Sequence, residues 1–227
     1  MRVFLTGASR GIGLRMTRIF AERGDTVYAA ARNPRRATDL RRIEGDVRVI
    51  ELDVTDASQI QDAFEVVRME TNALDVVINN AGILNRDNDL NTLSFEESLY
   101  TMRVNAIAPV MVARAFVPLL RNGGNRRLIS ITSQLGSLWR KESGGLYDYC
   151  ASKAALNMYT RTLAADLKSD GITTVLIHPG WVQTDMGGGR ADLTPEESAS
   201  AVIDVIDSLT PEMNGGFYRH DGSEHPW

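Results

Sequence analysis

The sequence predicts an α/β protein with a doubly wound parallel sheet, and three observations support this fold class. Short β-branched, apolar runs alternate with longer helical patterns over the whole chain of 227 residues. Several of these runs are apolar throughout, as expected for parallel strands that are covered on both faces. The first run leads directly into a glycine-rich stretch that opens a helical pattern. Because no internal repeat or linker interrupts the alternation, residues 1–227 are expected to form a single domain.

Six strands flanked by helices are predicted in chain order. The strands are expected at residues 3–6, 26–30, 47–52, 76–79, 128–132 and 174–178. The helices between them are expected at residues 12–23, 58–69, 95–120 and 149–168, with a bend in the third near Pro109. The capping box Ser94-Phe-Glu-Glu97 supports the helix start at residue 95, and a second box, Thr194-Pro-Glu-Glu197, predicts a further helix start.

Composition excludes several classes of protein. With 43% hydrophobic residues, 24% charged residues and a net charge of −4, the chain can bury a full core and lacks the basic balance of a nucleic-acid binder. A single cysteine excludes an intrachain disulfide framework and a thiolate metal cluster. The histidines are widely spaced, so no metal site is expected. Neither a signal peptide nor a membrane-spanning stretch is recognised, so a cytoplasmic protein that does not bind membranes is expected.

The glycine-rich stretch LTGASRGIG covers residues 5–13 and predicts a dinucleotide site. Gly7, Gly11 and Gly13 have the spacing TGxxxGxG, at the junction of the first strand and the first helix. Missing side chains let the backbone approach a pyrophosphate, and the helix N-terminus offers free N–H groups and the positive end of its dipole. The alternative is a glycine-rich turn without a ligand.

Two arginines favour NADP(H) over NAD(H). The second predicted strand ends without the carboxylate that would hold a ribose 2′-hydroxyl, and Arg32 follows it. Arg10 lies within the glycine-rich stretch. Two guanidinium groups suit a 2′-phosphate, which they bind through charge-assisted hydrogen bonds. The alternative is that both arginines are solvated surface charges.

Tyr149 and Lys153 are a candidate acid–base pair. They are four residues apart and therefore lie on one face of a helix, whereas Tyr147 lies on a different face. A nearby ammonium is expected to lower the pKa of the phenol, which then acts as general acid or base. The alternative is an aromatic ring packed under a lysine stem. Cys150 points away from this face and is interpreted as a small buried residue.

Two further motifs, NNAG at residues 79–82 and HPGWVQTDM at residues 178–186, complete a pattern that resembles the short-chain dehydrogenase/reductase family. Within it, the compact chain most resembles the group of the sniffer carbonyl reductase and the bacterial C-factor proteins. The resemblance implies a Rossmann fold and an NADP(H)-dependent carbonyl reductase or alcohol dehydrogenase. It also implies a small-molecule carbonyl or alcohol substrate and a homo-oligomer, either a dimer or a tetramer.

The family's functional residues map onto this sequence position by position. The implied catalytic residues are Ser133, Tyr149, Lys153 and Asn105, with Thr132 or Ser137 as alternatives to Ser133. The implied cofactor-binding residues are Gly7, Ser9, Arg10, Gly11, Ile12, Gly13, Arg32, Asp53, Val54, Asn79, Ala81, Gly82, Tyr149, Lys153, Pro179, Gly180, Val182 and Thr184.

Two other functions fit parts of the pattern. A non-catalytic NADP(H)-binding regulator or signalling protein would retain the fold, although it would be expected to lose the tyrosine or the lysine. An epimerase or dehydratase would carry a larger C-terminal substrate domain and a differently spaced glycine loop. A short mobile lid at residues 186–192 indicates a permissive pocket. Its candidate wall residues are Leu135, Trp139, Tyr147, Trp181 and Met186.

Overall fold

The computed structural model describes residues 1–86 and 88–227. Seven parallel strands form one sheet in the order β3-β2-β1-β4-β5-β6-β7. The strands are β1 (Arg2–Thr6), β2 (Thr26–Ala31), β3 (Val47–Glu51), β4 (Val76–Asn79), β5 (Arg127–Ile131), β6 (Thr173–His178) and β7 (Phe217–Arg219). The predicted fold class and all six predicted strands are confirmed. The seventh strand was not predicted, because its three residues are too few to show a periodic pattern.

Helices cover both faces of the sheet. They are α1 (Gly11–Glu22), α2 (Thr38–Arg41), α3 (Ala57–Glu70), α4 (Phe95–Met102), α5 (Ala108–Leu120), α6 (Tyr147–Asp166) and α7 (Pro195–Ser208). The predicted capping box at Thr194 is complete, with Glu197 closing it. The box at Ser94 is half formed: the Ser94 side chain accepts from the Glu97 N–H, but the Glu97 carboxylate accepts instead from Asn85 Nδ2.

A π-helical segment, Arg103–Ile107, joins α4 to α5 in one long helix. The Ala108 N–H donates to the Arg103 carbonyl, five residues back. Pro109 has no N–H to donate to the Asn105 carbonyl, which accounts for the irregular geometry where a bend was predicted. By length and composition this helix could cross a membrane, contrary to expectation, but 61% of its most apolar window is buried inside the protein. This burial indicates a helix of the protein core.

The side chains of β1 alternate between two cores. Val3 and Leu5 pack into the core that α1 and α7 cover, whereas Phe4 packs into the core under α3 and α5. There the Phe4 ring stacks on the Phe116 ring with centroids 3.9 Å apart. Because the strands are parallel, the segments that follow β1, β4, β5 and β6 all leave the same edge of the sheet, where a crevice for ligands is expected.

Candidate active site

The glycine loop after β1 lies directly against the segment that follows β4. Gly7 has a φ of +70°, and a Cβ there would lie 2.9 Å from Ala81 Cα. A Cβ on Gly13 would collide with the Gly7 carbonyl oxygen. Asn80 Nδ2 holds the loop by donating to the carbonyls of Thr6 (3.0 Å) and Gly7 (3.1 Å). Asn80 is therefore a positioning residue that sequence reasoning missed, although it lies within the NNAG motif.

The start of α1 fits the pyrophosphate of a dinucleotide. Among the described residues, no side chain caps this helix at Arg10 and no acidic residue lies in its first turn. Its first N–H groups therefore remain available to an anion. Ser9 and Ile12 are half-buried beside them, and Gly11 adopts a φ of +55°. A nicotinamide dinucleotide fits this part of the chain.

The residues expected at the adenosine end differ in their exposure and in their hydrogen-bond partners. The Ala8 N–H donates to the Ala30 carbonyl (3.0 Å), which places the glycine loop beside the end of β2. Arg32, just beyond that end, is exposed and has no ion pair with any described residue. Asp53 Oδ1 accepts from the N–H and the hydroxyl of Thr55, at 2.9 and 2.7 Å. Val54 is buried in the core under α3.

Asn79 differs from its expected role at the cofactor. Its side chain is 3% exposed, and its Nδ2 donates to the Pro109 carbonyl at 3.1 Å, in the protein interior. Its Oδ1 is buried without a hydrogen-bond partner among the described residues. Gly82 lies nearer the catalytic residues than the adenosine end, since a Cβ there would be 3.3 Å from Asn105 Oδ1 and 3.7 Å from Lys153 Nζ.

Tyr149 and Lys153 lie on one face of α6, as predicted. Lys153 Nζ is 5.8 Å from the centroid of the Tyr149 ring and donates to the Ile131 carbonyl at 2.9 Å. Both side chains are buried, with Tyr149 8% and Lys153 5% exposed. Tyr147 is the first residue of α6 and is 41% exposed. The structure thus separates the two tyrosines into a buried one beside the lysine and an exposed one at the helix entrance.

Burial changes the acid–base properties of both residues. It raises the pKa of Tyr149 to about 12, although an interaction with the Ser133 hydroxyl opposes that change. Burial also lowers the pKa of Lys153 to about 8. The sequence predicted a lowered pKa for the phenol, and the net direction is the opposite, because desolvation by burial is the largest cause. At neutral pH the phenol is therefore protonated and can donate a proton.

The three candidate hydroxyls after β5 have different partners. Thr132 Oγ1 donates to Asn157 Oδ1 at 2.6 Å in the interior. Ser137 Oγ accepts from the Arg140 N–H at 3.3 Å. Ser133 Oγ accepts from the Leu135 N–H at 3.1 Å, and of the three hydroxyls it is the one that affects the Tyr149 pKa. The geometry favours Ser133 over the alternatives.

Asn105 lies in the π segment and connects three parts of the site. It is completely buried, its Oδ1 accepts from the Ile83 N–H at 2.8 Å, and its Nδ2 donates to the Ile83 carbonyl at 2.9 Å. The same Nδ2 lies 3.0 Å from Ser152 Oγ, which in turn donates to the Tyr149 carbonyl at 2.8 Å. Asn105 therefore links the segment after β4 to α6 beside Lys153.

Gly136 is a second positioning residue that sequence reasoning missed. It ends a 3₁₀ turn that begins one residue after Ser133. A Cβ on Gly136 would lie 2.8 Å from the carbonyl carbon of Lys153 and 2.9 Å from its Cβ. The absence of a side chain therefore lets this turn pack directly on α6, with Ser133 beside Tyr149. A single glycine in a loop carries no sequence signal for this contact.

The loop between β6 and α7, residues 179–194, carries the last group of predicted cofactor residues. The Pro179 carbonyl accepts from Ser198 Oγ at 2.7 Å, and Gly180 has a φ of +86°. Val182 is buried. Thr184 Cγ2 is 3.2 Å from the position that a Cβ on Gly11 would occupy. The loop 179–194 and the glycine loop therefore lie side by side across the crevice.

Met186, in the loop 179–194, covers the catalytic tyrosine. Its Sδ lies 4.0 Å from Tyr149 Oη, and its carbonyl accepts from Arg86 Nη2 at 2.7 Å. Trp181 Nε1 donates to the Gly187 carbonyl at 2.9 Å within the same loop. Met186, the first residue of the predicted lid, thus contacts the Tyr149 hydroxyl.

The histidines are less scattered than the sequence indicated. The rings of His178 and His225 lie 6.0 Å apart, and His220 packs against Gly180. Burial lowers the pKa of His178 to about 3, and the neighbouring His225 and His220 act in the same direction. In the part of the chain that the structure describes, no group of three or more His, Cys, Asp or Glu residues could hold a metal ion.

Comparisons with known proteins agree with this geometry. The sequence profile described as short chain dehydrogenase matches residues 1–194. The protein named C-signal from Myxococcus xanthus is 45% identical over 157 residues, which cover 69% of this chain and 95% of that protein. The carbonyl reductase Sniffer of Drosophila melanogaster superposes with a TM-score of 0.95 at 31% identity, covering 100% and 99% of the two chains. An NADPH-bound carbonyl reductase from chicken fatty liver gives 0.94 at 32% identity, covering 100% and 98%. The chain belongs to the short-chain dehydrogenase/reductase family.

Proposed function

We propose that this protein is an NADP(H)-dependent reductase of aldehydes or ketones. The observation that carries the proposal is the convergence of the Tyr149 phenol, the Ser133 hydroxyl and the Lys153 ammonium beside the glycine loop. Two similar structures, the carbonyl reductase from chicken and a protein from Burkholderia multivorans, hold NADPH and NADP respectively. Arg32 at the end of β2 supports the same cofactor here.

The residues have distinct roles in the proposed reaction. When bound, the reduced cofactor supplies a hydride to the carbonyl carbon. Tyr149, whose pKa of about 12 keeps it protonated, donates its phenolic proton to the carbonyl oxygen. The Ser133 hydroxyl hydrogen-bonds that oxygen as negative charge develops on it. The Lys153 ammonium, 5.8 Å from the ring centroid, stabilises the phenolate that remains.

The substrate class is inferred from exposed apolar side chains in two loops that carry site residues. Trp139, in the loop after Ser133, is 80% exposed, and the neighbouring Leu138 is 82% exposed. Trp181, in the loop 179–194, is 48% exposed. Exposed aromatic and aliphatic side chains in the loops that follow Ser133 and contain Met186 favour an apolar aldehyde or ketone.

A panel of aldehydes and ketones tests the function through the loss of NADPH absorbance. Tyr149→Phe keeps the ring and removes the proton donor, so turnover should fall by about 10²- to 10⁴-fold while NADPH still binds. Tyr147→Phe is the matched control, and it should keep most of the activity because Tyr147 is 41% exposed at the helix entrance. Equal losses in the two variants would contradict the assignment of Tyr149.

The cofactor preference has its own test. Charge-assisted hydrogen bonds contribute about 1.5–3 kcal/mol each, so Arg32→Ala should reduce kcat/KM for NADPH by about 10- to 100-fold and change that for NADH little. Arg36→Ala removes the same charge from an exposed position in the following loop and should have a smaller effect. A wild-type protein that prefers NADH would refute the choice of cofactor.

A second candidate function is a signalling protein that binds NADP(H) without turnover. The observation that favours it is the 45% identity to the protein named C-signal. Against it, the buried pair of Tyr149 and Lys153 is intact. Nucleotide binding with no turnover of any carbonyl in the panel would support this second candidate.

The homo-oligomer stays a prediction. Apolar side chains that are exposed in the single chain support it, because they lie on two of the long helices. They are Phe95 (74% exposed) and Leu99 (56%) on α4, and Met158 (66%) on α6. Light scattering on the purified protein would show whether a dimer or a tetramer covers them.

A further inference from the structure

An exposed ion pair joins the two loops that border the crevice. Arg10, in the glycine loop, places its Nη1 2.6 Å from Asp185 Oδ2 in the loop 179–194. The two side chains are 65% and 80% exposed. The contact of Thr184 with Gly11 shows that the loops meet at this point. The ion pair therefore crosses the crevice at the N-terminus of α1.

This ion pair conflicts with the cofactor role proposed for Arg10. The guanidinium that would bind the 2′-phosphate is already bound by a carboxylate. Arg32, in contrast to Arg10, has no ion pair with any described residue. A 2′-phosphate would thus find Arg32 available and Arg10 engaged.

We propose that Asp185 is a selectivity residue that competes with the 2′-phosphate of NADP(H) for Arg10. This inference rests on the proposed NADP(H) dependence. The carboxylate holds Arg10 in this structure, and a nucleotide with a 2′-phosphate takes Arg10 from it. A nucleotide with a 2′-hydroxyl lacks the negative charge that would bind the guanidinium in place of the carboxylate. Asp185 therefore weakens binding of 2′-phosphorylated nucleotides and leaves the others unaffected.

The change of partner at Arg10 also affects the segment that lies over the catalytic tyrosine. Asp185 precedes Met186, whose Sδ lies 4.0 Å from Tyr149 Oη. When Arg10 leaves Asp185, one of the contacts that hold this segment over Tyr149 is lost. The Arg86 contact to the Met186 carbonyl remains, so the segment loosens without being released.

The expected effect is small because the pair is exposed. Exposed ion pairs typically stabilise by 1 kcal/mol or less, which corresponds to an affinity change of up to about fivefold. Asp185→Asn should therefore tighten binding of a 2′-phosphorylated nucleotide by about two- to fivefold. The gain should be greatest at low ionic strength, where screening is weakest.

Calorimetric titration with two nucleotide fragments tests the inference without catalysis. We expect Asp185→Asn to lower the Kd for 2′,5′-ADP by about two- to fivefold and to leave the Kd for 5′-AMP unchanged. Asp192→Asn is the matched control, because Asp192 is exposed in the same loop and has no ion pair with a described residue. In an Arg10→Gln background, Asp185→Asn should give no gain.

The outcomes separate this inference from the proposed function. If 2′,5′-ADP binds the wild type more tightly than 5′-AMP, but Asp185→Asn matches Asp192→Asn, the competition is refuted and the NADP(H) assignment stands. A gain that persists in the Arg10→Gln background also refutes it, since the carboxylate then acts without Arg10. If the wild type binds 5′-AMP as tightly as 2′,5′-ADP, the NADP(H) assignment fails and the inference fails with it.

Discussion

Substitution of Gly136 tests whether the 3₁₀ turn positions the catalytic serine. In Gly136→Ala the new Cβ would lie 2.8 Å from the Lys153 carbonyl carbon. Favourable carbon–carbon separations begin near ~3.5 Å, so the turn must retreat by roughly 0.7 Å from α6. Ser133 adjoins this turn and would move with it, away from Tyr149.

The cost of this retreat can be worked out for both stability and activity. Overpacking costs about 1–3 kcal/mol, and the lower entropy of the unfolded alanine chain offsets about 0.4–1 kcal/mol of that. The net loss of about 0–2.6 kcal/mol corresponds to a fall in Tm of up to roughly 10 °C for a chain of this size. A displacement approaching ~1 Å at a reacting group should lower kcat by roughly 10- to 100-fold.

Thermal unfolding and steady-state reduction of the best carbonyl in the panel provide the two measurements. Gly144→Ala is the matched control, because Gly144 lies in the same loop between Ser133 and Tyr149 and a Cβ there meets no atom within 4 Å. If Gly136→Ala has the same Tm and the same kcat as Gly144→Ala, the proposed positioning of Ser133 by this turn is refuted.

Three further changes separate electrostatic, catalytic and structural roles. In Lys153→Met, the alkaline rise of kcat/KM for alcohol oxidation should move to higher pH, because Tyr149 loses the cation that favours its phenolate. Ser133→Ala should lower kcat by about 10²- to 10³-fold with little change in Tm, whereas Thr132→Val should cost about 1–3 kcal/mol of stability. The pKa of His178 is lowered from 6.5 to about 3 in the folded protein. Its contribution to the free energy of unfolding is therefore complete above pH 6.5 and is lost progressively as the pH falls from 6.5 to about 3. Urea unfolding should show about 2 kcal/mol less stability from this group at pH 5 than at pH 7.5.

Each of these predictions can fail. An active Lys153→Met protein with an unshifted pH profile would exclude the electrostatic role of the lysine. A Thr132→Val protein that loses as much activity as Ser133→Ala would contradict the assignment of Ser133 as the hydroxyl that binds the carbonyl oxygen. His178→Gln should flatten the dependence of stability on acid pH, and an unchanged slope would show that other groups cause it.

Features with a local cause could be predicted from the sequence. The buried parallel strands are apolar throughout, and the spacing of Gly7, Gly11 and Gly13 follows from steric needs at a single turn. The four-residue interval between Tyr149 and Lys153 places them on one helix face whatever the helix packs against. These elements were therefore located correctly, although the exact start of α6 was not.

Features that depend on contacts across the fold could not be predicted. The pKa of Tyr149 is raised because the phenol is buried, and the sequence does not give the depth of that burial. His178 and His225 approach each other because β7 pairs with β6 and the His225 N–H donates to the Phe217 carbonyl of β7. The pairing of Arg10 with Asp185 joins residues 175 positions apart.

The π segment within the long helix constrains how this chain can change length. Successive residues of an α-helix are separated by about 100° of rotation, and a π turn accommodates an additional residue without disturbing the α-helices on either side. A deletion within Arg103–Ile107 would therefore leave a regular α-helix in the same register, whereas a deletion within α4 would turn the part before it by about 100° relative to α5, which the stacking of Phe116 on Phe4 holds in place. Substitutions along this helix change one contact at a time. A single deletion between Ser98 and Met102 would misalign every contact before it, including the hydrogen bond that Ser98 Oγ donates to Asp148 Oδ1.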